Sequence, residues 1–282
     1  MPGTEVGLLH PGAMGTSLGA ALLHNADAVL WASKGRSAAT RARAEKAGLT
    51  EVPDVPALVS RARSIISICP PHAAEDVARQ VAEHAGTGLD LYIEANAVAP
   101  ATVERIATLI GPDRVVDAAV IGGPAWQPGT ILVLSGPQAR EAVGLFADSL
   151  LDVRVLGDRL GQASMAKACF ALQSKALPTI WLAIAEAARR YDVLGPVLDI
   201  LAEDGIDLEK QTADITRRAA PKAWRWAGEM DEAAAALAAL GLPDGWSRAA
   251  AETYRRLADA PSADTGAAPE SPDQAAAPTT AT

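Results

Sequence analysis

The stretch EVGLLHPGAMGTSLGAAL, Glu5–Leu22, decides how the first half of the chain reads. Its opening residues are an apolar run of strand type, and from Ala13 the pattern turns helical with only His10, Pro11 and Gly12 between. Gly12 and Gly15 supply the last two glycines of a G-x-G-x-x-G turn, in the strand–turn–helix setting that gives this turn its meaning. Gly12 would let the backbone approach a pyrophosphate, and Gly15 would let helix and strand pack closely. The helix N-terminus would aim its amide N–H groups at the phosphates. His10 stands where the pattern has its first glycine. The candidate dinucleotide contacts are His10, Pro11, Gly12, Ala13, Met14 and Gly15. An ordinary tight turn is the alternative on these residues alone.

The next strand narrows the choice. Some 20 residues after such a loop, an NAD-binding fold places an Asp or Glu on the ribose hydroxyls. Here the strand ends in WASKGRS, which puts Ser33, Lys34 and Arg36 at that place. No carboxylate is there to repel a 2′-phosphate, and a guanidinium fork is available to bind one. The pattern favours NADP(H) over NAD(H).

Outward from this stretch, strand runs at Glu5–Leu9, Ala28–Trp31, Ser64–Ile68, Leu91–Glu94, Arg114–Ala118 and Ile131–Ser135 alternate with Ala-rich helical segments near 14–26, 37–47, 73–85, 100–110 and 138–149. Such alternation predicts βαβ units and a mostly parallel sheet. Beyond Gly161 the strands stop, and segments 162–190, 194–202, 207–217, 220–240 and 246–258 read as helices. The expected fold class is an α/β Rossmann-type NADP-binding domain over 1–157, followed by an all-α C-terminal domain over 158–259. Residues 260–282 hold four prolines and no aromatic, Leu, Ile or Val, so burial cannot offset their ordering entropy and a disordered tail is expected.

The whole chain has 282 residues, 49% of them apolar and 21% charged, which suits one large or two smaller globular domains. The formal net charge of −9 argues against a general nucleic-acid binder, which needs a basic face. Two cysteines, Cys69 and Cys169, cannot make a disulfide scaffold and fit a reducing, cytoplasmic setting. The N-terminus lacks the basic n-region of a signal peptide, and the longest apolar candidate, Leu177–Ala188, is interrupted by Pro178, Thr179 and Glu186. Neither a leader nor a membrane span is expected. The four histidines have no metal-ligand spacing, so no metal is expected.

Two further motifs complete a resemblance. HPGAMG is similar to the G-x-G-x-M-G loop of the 6-phosphogluconate dehydrogenase-like, or β-hydroxyacid dehydrogenase, superfamily. DAAVIGGP, Asp117–Pro124, resembles that family's D-A-P-V-S-G-G substrate motif, and GQASMAKACFA, Gly161–Ala171, its G-x-G-x-x-x-K-x-x-x-N catalytic helix. RWAGEMDE and GLPDGW read like the branch whose phosphogluconate-dehydrogenase-type C-terminal domain has no assigned substrate. The resemblance spans roughly residues 4–258. It implies that Lys167 is the catalytic general acid/base, and that Ile121, Gly122, Gly123, Ser164, Lys167, Ala171 and Asn96 face the substrate. It also implies that the Cys69-Pro70-Pro71 loop and Asn96 hold the nicotinamide end of the cofactor, and that the helical domain closes over the cofactor and pairs two copies into a homodimer. Ile121 replaces the motif's serine and Ala171 its asparagine, which points away from a simple β-hydroxyacid substrate and leaves the cofactor reading intact.

The residues themselves support this chemistry. Hydride transfer at a C–OH or C=O carbon needs one proton moved at the oxygen, and a lysine in an apolar or cationic setting can move it. On a regular helix Ser164, Ala171 and Ser174 share the face of Lys167. Trp224, Trp226 and Trp246 read as helix-packing anchors, and Arg225 with Glu229 as a surface pair. The expected activity is an NADP-dependent oxidoreductase acting on a small hydroxy acid or related carbonyl compound. An NADPH-dependent imine reductase and a non-catalytic NADP-binding sensor are the alternatives.

Overall fold

The computed structural model describes residues 4–259; the tail expected to be disordered, 260–282, lies outside the described residues, as do positions 1–3. The chain divides into two compact units between Lys167 and Ala168.

The first unit follows the alternation read from the sequence. It begins β1 (Glu5–Leu9), α1 (Ala13–Leu22), β2 (Ala28–Ala32), α2 (Ala38–Lys46), β3 (Thr50–Val52), α3 (Val55–Val59), β4 (Ser64–Ser67), α4 (Ala74–Ala85), β5 (Leu91–Glu94) and α5 (Pro100–Ile110). It continues with β6 (Val115–Ile121), β7 (Ile131–Ser135), α6 (Ala139–Ala142) and β8 (Asp152–Gly157). One eight-stranded sheet has the order β3-β2-β1-β4-β5-β6-β7-β8. All neighbours are parallel except β6 and β7. The run β3-β2-β1-β4-β5-β6 is the Rossmann order, and its direction reverses between β1 and β4. Adjacent residues such as Ile65 and Ile66 face opposite sides of the sheet and feed two separate cores. Both faces are therefore covered, as a parallel sheet requires.

Three elements escaped the sequence reading. β3 is three residues long with two of them exposed, and α3 is a five-residue turn of helix capped by Asp54, whose Oδ1 accepts from Ala57 N at 3.0 Å. β8, DVRVLG, alternates exposed and half-buried residues at the sheet edge, so its charges masked a strand. The helix expected over 138–149 shortens to α6 and a 3₁₀ turn at Val143–Phe146, where Gly144 weakens helical continuation.

The second unit is helical. α7 (Gln162–Ala171) runs through a π-helical turn at Leu172–Ala176 into α8 (Leu177–Arg190), and α9 (Leu194–Glu203), α10 (Leu208–Ala219), α11 (Ala223–Ala239) and α12 (Gly245–Asp259) follow. Small buried residues on α11 and α12, among them Ala227, Ala234, Ala250 and Ala251, let these helices approach closely. Trp226 meets Tyr254 edge to face, with centroids 5.3 Å apart and planes at 80°. Trp226 is thus an anchor as expected, but Trp246 is 69% exposed and anchors nothing. One long helix among the described residues, Gln162–Arg190, bears on the expectation of no membrane span. It is 29 residues long and holds a window of mean hydropathy 1.3, enough by length and composition to cross a membrane. Two of its lysines are nevertheless engaged by protein groups, Lys167 by the Val120 carbonyl and Lys175 by Glu229.

Candidate active site

The loops after β1, β4 and β5 meet where the strand order reverses, the place where open α/β sheets bind ligands. Gly12 is the N-cap of α1, which has neither a side-chain cap nor an acid in its first turn. α2, α3 and α10 are instead capped by Ser37, Asp54 and Asp207. A Cβ on Gly12 would meet nothing within 4 Å, so its outer face is open to a ligand. A Cβ on Gly15 would lie 2.2 Å from the His10 carbonyl oxygen, so only glycine fits there. Pro11 is buried, Ala13 is exposed, and Met14 packs against the core. An uncapped helix N-terminus with an open glycine at its head suits a pyrophosphate.

His10 adopts φ 81°, a left-handed conformation that suits the glycine of the usual pattern. Its Nδ1 is shielded from solvent and has no hydrogen-bond partner. Burial first, and then the charge of nearby Arg36, pull the imidazole down to about 3, so it is neutral at physiological pH. Arg36 is half-buried and burial lowers its own value; Ser33 is buried and Lys34 exposed. Of the basic pair, the structure brings Arg36 to His10 and leaves Lys34 at the surface.

Asn96 ties two of the loops together. Its Oδ1 accepts from the Cys69 amide, its Nδ2 donates to Ser67 Oγ at 3.2 Å, and its own amide donates to Glu94 Oε1 at 3.1 Å. Pro70 and Pro71 continue from Cys69 into a 3₁₀ turn. Burial pushes the Cys69 thiol far up, which removes it as a nucleophile. Glu94 is fully buried with Oε2 unpartnered, and burial raises it to about 8.

The second half of the site lies on β6. Asp117, wholly buried, accepts from Ser164 N at 3.0 Å, Ser164 Oγ at 2.6 Å and Ser135 Oγ at 3.0 Å. Ser135 Oγ in turn accepts from Ala163 N at 3.0 Å. A carboxylate therefore caps the N-terminus of α7, where the helix dipole favours negative charge. Burial raises Asp117 from its ordinary value while these hydrogen bonds pull it back. About one turn further along α7, Lys167 Nζ donates to the Val120 carbonyl at 2.6 Å. The amine thus sits at the end of β6, one residue from Ile121 and next to exposed Gly122 and Gly123. Gly122 has φ +121°, and a Cβ there would come within 3.3 Å of Thr130 Cα. Thr130 Oγ1 holds the Gly123 carbonyl at 2.9 Å, and Ala125 N donates to Ser17 Oγ at 2.9 Å, which links this loop to α1.

The polar face expected around Lys167 changes in detail. The Ser164 hydroxyl points at Asp117, and Ala171 is buried. Ser174 lies inside the π turn, where regular i+7 spacing fails, and it donates to the Phe170 carbonyl at 2.8 Å. Asp117 lies in a quoted motif and Glu94 ends a strand run, yet the sequence reading gave neither a role. Their signal was an acid set inside an apolar strand run, in VVDAAVI and LYIE.

Known proteins share this arrangement of strands and helices. A Mycobacterium tuberculosis 3-hydroxyisobutyrate dehydrogenase, solved with L-serine, superposes with a TM-score of 0.68 at 17% identity, over 90% of this chain and 94% of that one. The fold is that of the 3-hydroxyacid dehydrogenases. Residues 188–257 match the model of a domain of unknown function, DUF1932. A conserved hypothetical protein from Sinorhizobium meliloti 1021 is 25% identical with a TM-score of 0.69, over 94% of this chain and 91% of that one. An Aspergillus terreus reductive aminase solved with NADPH and ethyl levulinate has a TM-score of 0.55 at 17% identity, over 90% of this chain and 93% of that one. An uncharacterized 28.5 kDa protein of Methanothermus fervidus is 29% identical over 170 residues; the match spans 60% of this chain and 65% of that relative. The fold that the resemblance of the glycine loop and DAAVIGGP implied, a Rossmann-type unit followed by helices, is borne out by these matches.

Proposed function

We propose that the chain is an NADP(H)-dependent oxidoreductase that uses Lys167 as general acid/base on a small hydroxy acid or related carbonyl compound. The observation that carries the reading is the placement of the Lys167 amine at the Val120 carbonyl, beside the open Gly122–Gly123 turn. His10, Pro11, Gly12, Ala13, Met14 and Gly15 would hold the pyrophosphate, Ser33, Lys34 and Arg36 the 2′-phosphate, and Cys69, Pro70, Pro71 and Asn96 the nicotinamide end. Bound NADP(H) supplies or accepts the hydride. The chain's own residues do the rest. The exposed amides of Gly122 and Gly123, with Ile121 beside them, orient the substrate. Lys167 as ammonium gives a proton to the substrate oxygen on reduction and takes it back on oxidation. Val120 keeps the amine in place, and Asp117 keeps the helix that carries it in place. Ser164 acts in this scheme through Asp117, and Ala171 leaves room for substrate bulk.

Reduction of a C=N bond is the second reading, favoured by the likeness in fold to a reductive aminase. A homodimer belongs to the proposal as well; exposed Tyr191, Ile200 and Trp246 on the helical unit are apolar surface that a second copy would cover. The test is to titrate the protein with NADPH and NADH, then follow nicotinamide absorbance against a panel of keto acids, aldehydes, hydroxy acids and imines. Tight NADPH binding with substrate-dependent turnover is expected. NADPH binding with no turnover on any panel member would favour the sensor reading, and no binding of either cofactor would end the proposal.

A further inference from the structure

Three cations converge on one indole in the helical unit. Lys222 Nζ lies 5.2 Å, Lys175 Nζ 5.5 Å and the Arg218 guanidinium carbon 5.8 Å from the centroid of the Trp226 ring. A ring has two faces, so at least two of the three share one. A fourth cation, Arg225, precedes Trp226 on α11. Against these stands Glu229, which pairs with Lys175 through Oε2 and lies 3.4 Å from Arg225 through Oε1. The Arg225–Glu229 pair read from the sequence is present at i,i+4 spacing, and Glu229 holds a second, buried partner in Lys175, the two side chains being only 10% and 9% exposed. Arg218 and Lys222 make no ion pair among the described residues, and Arg218 reaches only the Ser174 carbonyl, at a long 3.4 Å.

Such a gathering costs stability. Burial first, then the charges of Arg225, Lys175 and Arg218, hold Lys222 below the ordinary lysine value. A cation–π contact offsets part of that cost but leaves the charge in place. The ring is fixed by Tyr254, whose hydroxyl donates to the Lys175 carbonyl at 2.8 Å, so the cations are held together by a rigid frame. Arg218 is exposed and the Arg225 side chain 36% exposed, so one edge of the cluster is open to solvent.

We infer that Lys175, Arg218, Lys222 and Arg225 around Trp226 form a binding site for an oxyanion, a carboxylate or phosphate group carried by a small molecule. Arg218 and Lys222 make the direct contacts, the guanidinium offering a planar fork and the ammonium a compact charge. Lys175 and Arg225, tied to Glu229, form the positive floor. The site belongs to the helical unit alone and stands whether or not the redox reading holds.

The experiment titrates the full chain with sodium phosphate and with sodium malonate, against sodium chloride at matched ionic strength, by calorimetry and thermal unfolding. Saturable heat and a raised Tm are expected with at least one oxyanion and not with chloride, and the better probe names the group. Arg218→Gln and Lys222→Met should each weaken that affinity about 10- to 150-fold, the worth of one hydrogen bond to a charged group. Arg217→Gln makes the same charge change at a residue paired with Asp214 and should leave affinity unchanged. In buffer without oxyanion, Lys222→Met should not lower Tm, because it removes repulsion. If Lys222→Met fails to fold, the exposed Arg218 carries the comparison. Absence of oxyanion-dependent heat, or equal weakening by Arg217→Gln, overturns the site.

Discussion

The glycine-loop corner and the lysine node lie in the same unit and are built by opposite means. The corner is made of contiguous chain: β1, three loop residues and the head of α1. Its contacts to a ligand would be backbone amides, which any sequence with the right glycines supplies. The node gathers Asp117, Val120, Ser135, Ser164 and Lys167 from β6, β7 and α7, held by side-chain hydrogen bonds across as many as 47 positions. A site of the first kind binds, and a site of the second kind places a proton. Changes in the two should therefore separate affinity from turnover.

The largest separation is expected at Lys167. Lys167→Met keeps the stem and removes the amine, so the proton-transfer contribution of about 10²–10⁴-fold in rate should vanish. NADPH affinity should hardly move, because the glycine loop is untouched. Steady-state rates with a substrate from the panel, set beside cofactor titration, check both halves. A retained rate would mean that the proton travels by another route, and the imine and sensor readings would gain.

Arg36→Ala should do the reverse. Loss of a charge-assisted contact of about 1.5–3 kcal/mol should weaken NADPH binding roughly 10- to 150-fold, while NADH binding stays level. Equal loss for both cofactors would place Arg36 against the part they share. His10 sharpens this reading. It is held neutral beside Arg36, so the guanidinium is the cation of this corner.

How much was legible follows the same division. EVGLLHPGAMG carried its own context, since strand, turn and helix are adjacent and each glycine has a local reason. The parallel sheet was legible too, because β-branched runs recur between helical ones. The node was not, although Asp117, Val120, Ser164 and Lys167 all sat in quoted motifs. Asp117 meets Ser164 only after β6 finds its register against β7, and no spacing encodes that register. The π turn at Leu172–Ala176 hid in an Ala- and Leu-rich helix and broke the regular spacing that had put Ser174 beside Lys167. Trp226 and Trp246 show the same limit in the helical unit, for the same residue type is buried in one helix and exposed in the next.

Asp117 tests whether the node positions rather than reacts. Asp117→Asn keeps one acceptor but turns an amide NH₂ toward donors on Ser164 and Ser135. The cost expected is about 1.5–3 kcal/mol of stability, for charge-assisted bonds lost in a buried place. Turnover should fall with the misplaced helix start, and the fall should appear in kcat, with NADPH affinity preserved. Chemical unfolding gives the first number and kinetics the second. Full activity together with full stability would remove Asp117 from the mechanism.

The last effect is spread over a pH range as a slope, and it comes from the acid next door. Glu94 stands opposite Asp117 in register on β5 and β6, yet Asp117 accepts several hydrogen bonds while Glu94 Oε2 accepts none. Burial raises Glu94 to about 8 from an ordinary 4.5, so between those values the folded chain binds more protons than the unfolded one. Stability from this group is therefore present below about pH 4.5 and declines as pH rises to about 8, at no more than about 1.4 kcal/mol per pH unit. His10, lowered to about 3 from 6.5, runs the other way: stability rises with pH between those values. The two slopes oppose each other between pH 4.5 and 6.5. Together they give a rise on the acid side, a plateau, and a fall above about pH 6.5. Glu94→Gln removes only the falling arm, so the variant should keep rising to about pH 6.5 and exceed the parent most at pH 8 and above. Urea midpoints across this range decide it. A variant that still loses stability between pH 6.5 and 8 would show that Glu94 is not the group that titrates there.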